Sequence, residues 1–348
     1  MYNLTPKLSV VIISHNQREV LRRCIDSVLA QQTTFPVEII VSDDRSTDGT
    51  REMLLSEYKD RVLSTFFDSD ECNTTFTLER ASYNRLNGLK YATGKYLINI
   101  DGDDFYTSTD LFQTMVDTLE AHPECSMCCQ NFCMVCSTNV NVPHIPVNKS
   151  PLLKQNGIIN GEELFSKVGY LHSSCFVVRQ VKSFTGEDAH RIPYDDNTIT
   201  ARYLNNGKVA VVNRCDFVYV QYGQSTCATM TDDEKSLVFL PEFQMMKLAP
   251  MYTRTLMLRN LGAFSFIAKN ALKKEPVSPK IEAFFGNSDM FILNKYKNKK
   301  SISTRFRYCL VLGWTFIMFA LHLKGSIACR ILYSLAIGKI DNTVSFEH

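Results

Sequence analysis

Apolar runs of strand length alternate with segments of helical periodicity through the first hundred residues, and this alternation limits the fold more than any other feature. Leu8-Ser9-Val10-Val11-Ile12-Ile13 is a near-continuous apolar run, the pattern of a strand buried on both faces of a parallel sheet. From Arg18 to Gln32, Val20, Leu21, Cys24, Val28 and Leu29 recur at helical spacing. Val37-Glu38-Ile39-Ile40-Val41 predicts a second strand, and a helix follows to about Tyr58 with Asp48 or Thr50 as its N-cap. Strands and helices in this order make parallel βαβ units. The fold class expected is α/β: a Rossmann-like, doubly wound, mainly parallel sheet with flanking helices, plus a helical C-terminal region.

Each early strand ends in polar residues. The first runs into Ser14-His15-Asn16-Gln17, the second into Ser42-Asp43-Asp44. A third, Tyr96-Leu97-Ile98-Asn99-Ile100, stops at Asp101-Gly102-Asp103-Asp104. Ligands of doubly wound sheets sit outside the carboxyl ends of the strands, so the three clusters can converge in one crevice. A turn explains any one of them; it does not predict all three at equivalent ends. Three carboxylates within four positions raise one another's pKa unless a positive charge sits among them. A divalent cation is the simplest answer, because Mg²⁺ is usually held by one or two carboxylates together with substrate phosphates. The competing reading is an acid-rich turn whose carboxylates cap a helix beginning near Thr107.

The 348 residues suffice for one large α/β domain with an appendage, or for two domains. A net charge of +2 and the lack of a basic stripe interleaved with aromatics argue against nucleic acid. Twelve cysteines lie in apolar surroundings, and a strand-like run follows Met1 closely, so no secretory leader is expected and the thiols are read as reduced, buried and cytosolic. Cys125, Cys128, Cys133 and Cys136 form two CxxC pairs. Their short separation suits a buried strand better than a zinc ribbon.

Further along, Glu79 to Ala92 and Leu111 to Leu119 read as helices, and the cysteine-rich strand follows His122-Pro123. Val140 to Pro151 reads as a loop and Gly161 to Val168 as a short helix. Tyr170 to Arg179 reads as a strand carrying polar residues. Asp195-Asp196 precedes a helix over Thr198 to Leu204, whose first turn those acids favour, and Lys208 to Asn213 is another strand. Leu237 to Leu261 and Ala263 to Leu272 are helical in pattern. Lys295 to Lys300 holds four lysines, and the apolar run Tyr308 to Leu323 follows. That run is short of the ~20 residues that span a bilayer. With the second apolar stretch to Ile337, residues 295–337 read as peripheral attachment to the cytoplasmic face of a membrane; the alternative is a helical pair packed on protein.

Taken together, the motifs resemble the inverting glycosyltransferases of family 2, with the GT-A fold. LSVVIISHNQ is similar to the family's first strand and nucleotide-binding turn, and EIIVSDDRSTDGT to its second-strand signature. NRLNGLKYATGKYLINIDGDDFY followed by LFQTMVDTLEAHPE resembles its DXD region, and YDDNTITARYLNNGKVAVVN the stretch that supplies the base. Asp195-Asp196 stands where Glu-Asp is usual, and the Gln-x-x-Arg-Trp motif of processive synthases is absent, which favours transfer of one sugar per encounter. The resemblance implies a catalytic domain over 1–232 (nucleotide-sugar binding 1–125, acceptor side 126–232), a helical extension over 233–300 and an apolar, basic tail over 301–348.

It also implies roles. Asp43 or Asp44 would bond the nucleobase, with Ser14, His15 and Asn16 lining its pocket. Asp101 and Asp103 would sit at ribose, diphosphate and metal, with Asp103 or Asp104 touching the cation, Mn²⁺ or Mg²⁺, directly. Asp196 would be the general base, with His172, Ser173 and Asp195 near donor or acceptor. The expected donor is a UDP-sugar and the acceptor a glycan or lipid-linked glycan of a surface polysaccharide. Two other readings stand beside it: a nucleotidyltransferase, against which the missing glycine-rich loop counts, and a catalytically silent sugar-binding relative.

Overall fold

All seven residues of the first strand, β1 (Leu8–Ser14), are buried, as a central strand covered on both faces requires. It leads into α1 (Arg18–Leu29), whose Leu21, Cys24, Ile25 and Val28 form the buried stripe. Then come β2 (Val37–Asp44), α2 (Thr50–Glu57) and β3 (Leu63–Phe67). Next are α3 (Thr77–Leu89), β4 (Tyr96–Asp101), the two-residue β5 (Phe105–Tyr106) and α4 (Leu111–Ala121). The chain continues through β6 (Cys125–Cys129), β7 (Phe132–Val135) and β8 (Gly157–Ile159). A single turn, α5 (Gly161–Glu163), opens on a capping box from Asn160 and widens into a π turn over Leu164–Val168. β9 (Phe176–Arg179), α6 (Asp196–Leu204), β10 (Lys208–Val211) and β11 (Phe217–Val220) complete the set. This computed structural model describes residues 5–72, 77–136, 144–180, 196–204 and 207–221, with Tyr252 and Thr255.

The chain divides into two compact units, Met1–Met230 and Thr231–His348, and the elements above belong to the first. The C-terminal segments read from sequence, including 295–337, lie outside the described residues apart from Tyr252 and Thr255. Among the described residues no helix is long and apolar enough to cross a membrane.

Eight strands form the main sheet in the order β3-β2-β1-β4-β9-β6-β10-β8. The half from β3 to β4 is parallel throughout, and β10 runs parallel to β6. β9 is antiparallel to both its neighbours and β8 is an antiparallel edge. A second sheet, β5-β11-β7, stands apart. The mainly parallel α/β architecture expected from the sequence is the one observed. Register makes the early strand ends level: Ser14 pairs with Asp43, and Ile13 with Asp101.

α3 anchors these ends through a buried polar face. Asn84 Nδ2 donates to Ser14 O at 3.1 Å and to Ser42 O at 3.0 Å, while Ser42 Oγ donates to Asn84 Oδ1 at 2.6 Å. Asn87 Nδ2 donates to Ser42 Oγ at 3.0 Å and to Thr65 Oγ1 at 3.1 Å. Buried polar groups must be paired in this way, since an orphan costs about 1–3 kcal/mol.

Several local expectations are corrected. The cysteine-rich segment is two strands in two sheets, not one strand. It breaks at Gln130-Asn131, where Gln130 Oε1 accepts from Asp216 N at 2.9 Å and Asn131 Nδ2 donates to Asn148 O at 2.8 Å. Cys24, Cys125, Cys128, Cys129, Cys133, Cys136, Cys175 and Cys215 are free thiols. The strand expected from Tyr170 is confined to β9. Before it, Ser173–Cys175 make a 3₁₀ turn capped by His172, whose Nδ1 accepts from Ser174 N at 3.3 Å, because polar side chains there satisfy local backbone instead of a ladder. No helix starts near Thr107: Phe105 and Tyr106 pair with β11, and α4 begins at Leu111. The N-cap of α2 is Gly49, while Asp48 Oδ1 accepts from Thr50 N at 3.1 Å.

Candidate active site

At the carboxyl end of β1 and β2 the two turns are knitted together. Asn16, at φ 53°, donates its backbone amide to Ser46 Oγ at 2.8 Å and accepts from Thr47 N at 2.7 Å through Oδ1. His15 Nδ1 bonds the Asp44 carbonyl. Asp43 is buried and receives both the hydroxyl and the amide of Ser46. Burial pushes its carboxyl above the usual range, against the lowering effect of those two bonds. Asp44 accepts from Ser69 N at 3.0 Å on Oδ1 and from Arg80 Nη2 at 3.0 Å on Oδ2. Ser14 Oγ is buried without a hydrogen-bond partner among the described residues.

One strand over, the acidic turn hugs β1. Gly102 N donates to Ile13 O at 2.9 Å, and a Cβ at Gly102 would stand 2.7 Å from that same oxygen. Only glycine lets the chain pass this close. The tight path throws Asp101 and Asp104 toward the crevice. Asp101 pairs with the buried guanidinium of Arg85, on α3. Asp104 is fully buried; its Oδ1 accepts from Val220 N at 2.9 Å, and its Oδ2 has no hydrogen-bond partner among the described residues. Burial above all, then Asp103 and Asp101, push the Asp104 carboxyl well above its ordinary value. A buried carboxylate oxygen in acidic company needs a proton or a cation.

The geometry supplies a third donor. His172 Nε2 lies 3.7 Å from Asp101 Oδ2 and 3.8 Å from Asp104 Oδ2. One ligand atom each from Asp101, Asp104 and His172 fall within 4.8 Å of one another. Two carboxylates and an imidazole fit a divalent cation, and the orphaned Asp104 oxygen gives it a reason to bind. Asp103, expected among the ligands, is outside this group; its carbonyl accepts from Arg23 Nη2 at 3.0 Å. The His172 ring lies between Phe217 and Tyr219, each 5.1 Å away centroid to centroid and tilted by 30° and 31°.

Asp196 opens α6 beside the same nitrogen of His172. Its Oδ1 accepts from Ser173 N at 2.8 Å, its Oδ2 from Tyr170 Oη at 2.8 Å, and His172 Nε2 stands 3.8 Å from Oδ2. Burial would raise the Asp196 carboxyl, but His172, Arg85 and the Ser173 amide outweigh it and hold the group below its usual value. It is ionised at neutral pH and about a fifth exposed, with 22% of the side chain accessible. Asp195 lies outside the described residues.

Thus Asp101, Asp104, His172, Ser173 and Asp196 come together, with Ser14–Asn16, Asp43 and Asp44 on the adjacent strand ends. Sequence reasoning missed Arg85 and Tyr170. Arg85 carried a signal: it sits with Asn84 on the sheet-facing side of a predicted helix, where an arginine needs an acid. Tyr170 carried none.

Comparison with known proteins identifies the family and the fold. The sequence profile of "Glycosyl transferase family 2" matches residues 9–183, just over half of the chain. An uncharacterised protein of Mycobacterium bovis is 36% identical over 121 residues, 35% of this chain and 34% of its own length. The GalNAc(5)-diNAcBac-PP-undecaprenol beta-1,3-glucosyltransferase of Campylobacter jejuni is 32% identical over 117 residues, 34% of this chain and 36% of its own. The chain thus spans about a third of the length of these curated relatives. Among solved structures, S. aureus TarS 1-349 in complex with UDP-GlcNAc superposes with a TM-score of 0.58 at 15% identity, covering 90% of this chain and 92% of that one. That likeness is of fold, the GT-A fold. With the profile spanning β1 to the stretch just beyond β9, and the acidic strand end at its centre, the chain belongs to glycosyl transferase family 2.

Proposed function

We propose that this protein is an inverting glycosyltransferase. It transfers a sugar from a nucleotide-sugar donor, a UDP-sugar, to a hydroxyl of a glycan or lipid-linked acceptor in surface polysaccharide synthesis. The observation that carries the reading is the apposition of Asp101, Asp104 and His172 to an ionised Asp196. Asp101, Asp104 and His172 would hold Mn²⁺ or Mg²⁺, which when bound offsets charge developing on a leaving diphosphate. The imidazole favours Mn²⁺, since Mg²⁺ prefers oxygen alone. Asp43 or Asp44 would meet the nucleobase and Ser14, His15 and Asn16 would line its pocket, because they occupy the strand ends beside the acidic turn. Asp103 would border the diphosphate.

Asp196 takes the proton of the acceptor hydroxyl as that oxygen attacks the anomeric carbon. One carboxylate base without a protein nucleophile implies a single displacement and hence inversion. Asp195 would help shape the acceptor side. Peripheral attachment through 295–337 on the cytoplasmic face of a membrane would bring a lipid-linked acceptor to this base. The activity for which the Campylobacter relative is named, glucosyl transfer onto an undecaprenol diphosphate glycan, supports that acceptor class. The test is UDP release from UDP-glucose and UDP-N-acetylglucosamine with Mn²⁺. Turnover with either, lost in Asp196→Asn, supports the reading; UDP binding without turnover under any condition supports a silent relative instead.

A further inference from the structure

Tyr170 is 41% exposed, yet its hydroxyl points inward and donates to Asp196 Oδ2 at 2.8 Å. A surface tyrosine ordinarily does the reverse, burying the ring and wetting the hydroxyl. The frame around it fixes this orientation. Gly169, at φ +78°, turns the chain out of the π turn just before it. Asn148 Nδ2 donates to Val168 O at 2.8 Å and to Tyr170 O at 3.1 Å. Asn148 is itself pinned, its amide donating to Asn131 Oδ1 at 3.2 Å and its carbonyl accepting from Asn131 Nδ2 at 2.8 Å. The Tyr170 ring meets Phe132 edge to face at 6.2 Å.

The hydrogen bonds on Asp196 hold its carboxylate at both oxygens. Oδ1 is engaged by the Ser173 amide. Oδ2 faces His172, and each carboxylate oxygen has two acceptor positions. Tyr170 fills one of those on Oδ2 and stops the carboxylate from turning, so the other points in a fixed direction.

We propose that Tyr170 is a positioning residue for transfer: its hydroxyl aims the free lone pair of Asp196 Oδ2 at the acceptor hydroxyl, and its exposed ring face is the floor on which the acceptor sugar lies. This rests on Asp196 being the base. In the step, the acceptor O–H bond breaks as Oδ2 takes the proton. The acceptor oxygen bonds to the anomeric carbon, and the bond from that carbon to the nucleoside diphosphate breaks. Tyr170 keeps its proton throughout.

The test compares Tyr170→Phe, Tyr170→Leu and Asp196→Asn by UDP release from UDP-glucose and UDP-N-acetylglucosamine. The acceptor is an alkyl diphosphate-linked N-acetylglucosamine, and water serves as acceptor in a parallel assay. UDP affinity and melting temperature are measured alongside. Tyr170→Phe is expected to lower kcat about tenfold or more with acceptor KM within about twofold, and to slow hydrolysis equally. Tyr170→Leu is expected to raise acceptor KM about tenfold as well. Wild-type kcat in Tyr170→Phe, with Asp196→Asn inactive, overturns the tyrosine's role and leaves the base standing. Near-normal turnover in Asp196→Asn removes both. Loss of UDP affinity and melting temperature in both tyrosine variants, without a split between kcat and KM, marks a structural residue and also overturns the proposal.

Discussion

His172 Nε2 lies 3.8 Å from Asp196 Oδ2, and the same nitrogen is 3.7 Å from Asp101 Oδ2. Proposed cation ligands and proposed base thus converge on one ring nitrogen, and the ring packs against Phe217 and Tyr219. Both aromatics come from β11, in the small sheet, which also sends Val220 N to Asp104. One strand thus touches both His172 and Asp104.

If Asp196 is the base, Asp196→Asn leaves the shape and removes the proton acceptor. Turnover is expected to fall by about 10²–10⁴, with UDP affinity within about twofold of wild type. Steady-state kinetics beside calorimetry separates the two effects.

Asp104→Asn removes a buried charge that has acidic neighbours and an orphaned oxygen. In chelator, this variant is expected to melt at a higher temperature than wild type. It should lose the wild type's gain on adding Mn²⁺. A melting curve with and without metal reads both.

The pH dependence of that gain follows from the sign of the Asp104 shift. Its folded carboxyl is raised well above the unfolded value, so the metal-free fold holds a proton that the unfolded chain releases. Stability from this group is full below the unfolded pKa, about 3.9, and declines as pH rises toward the folded value. A cation needs the ionised form and must displace the proton. The Mn²⁺-induced rise in melting temperature is expected to be larger at about pH 7.5 than at about pH 5. Equal rises would count against Asp104 as a ligand.

Gly102→Ala puts a methyl 2.7 Å from Ile13 O. Backbone cannot yield as a side chain can, so the acidic turn must move. The expected cost is about 1–3 kcal/mol in stability, read by urea unfolding, together with weaker Mn²⁺-dependent UDP binding.

Much of this arrangement is legible in the sequence because strand termini are written locally. The apolar runs that end at Ser14, Asp44 and Asp101 state both the parallel sheet and the side on which the polar residues gather. The cluster of Asp101, Asp104 and His172 is less legible. Asp103 and Asp104 look equivalent in the sequence, and only the path forced by Gly102 and the bond from Val220 separates them. His172 reaches the acids through a 3₁₀ turn that periodicity reads as strand. The small sheet escapes notice because β5 has two residues and its partner lies over a hundred positions away. Tyr170 depends on the Asn131–Asn148 frame, a set of contacts no local pattern encodes.

The most direct test of the central claim is calorimetric titration of the full chain with UDP, in Mn²⁺ and in chelator, for wild type and His172→Ala. The account predicts UDP binding in Mn²⁺ that disappears in chelator and weakens at least about tenfold in His172→Ala. UDP binding of equal strength with and without metal, or unchanged in His172→Ala, would contradict a cation held by Asp101, Asp104 and His172.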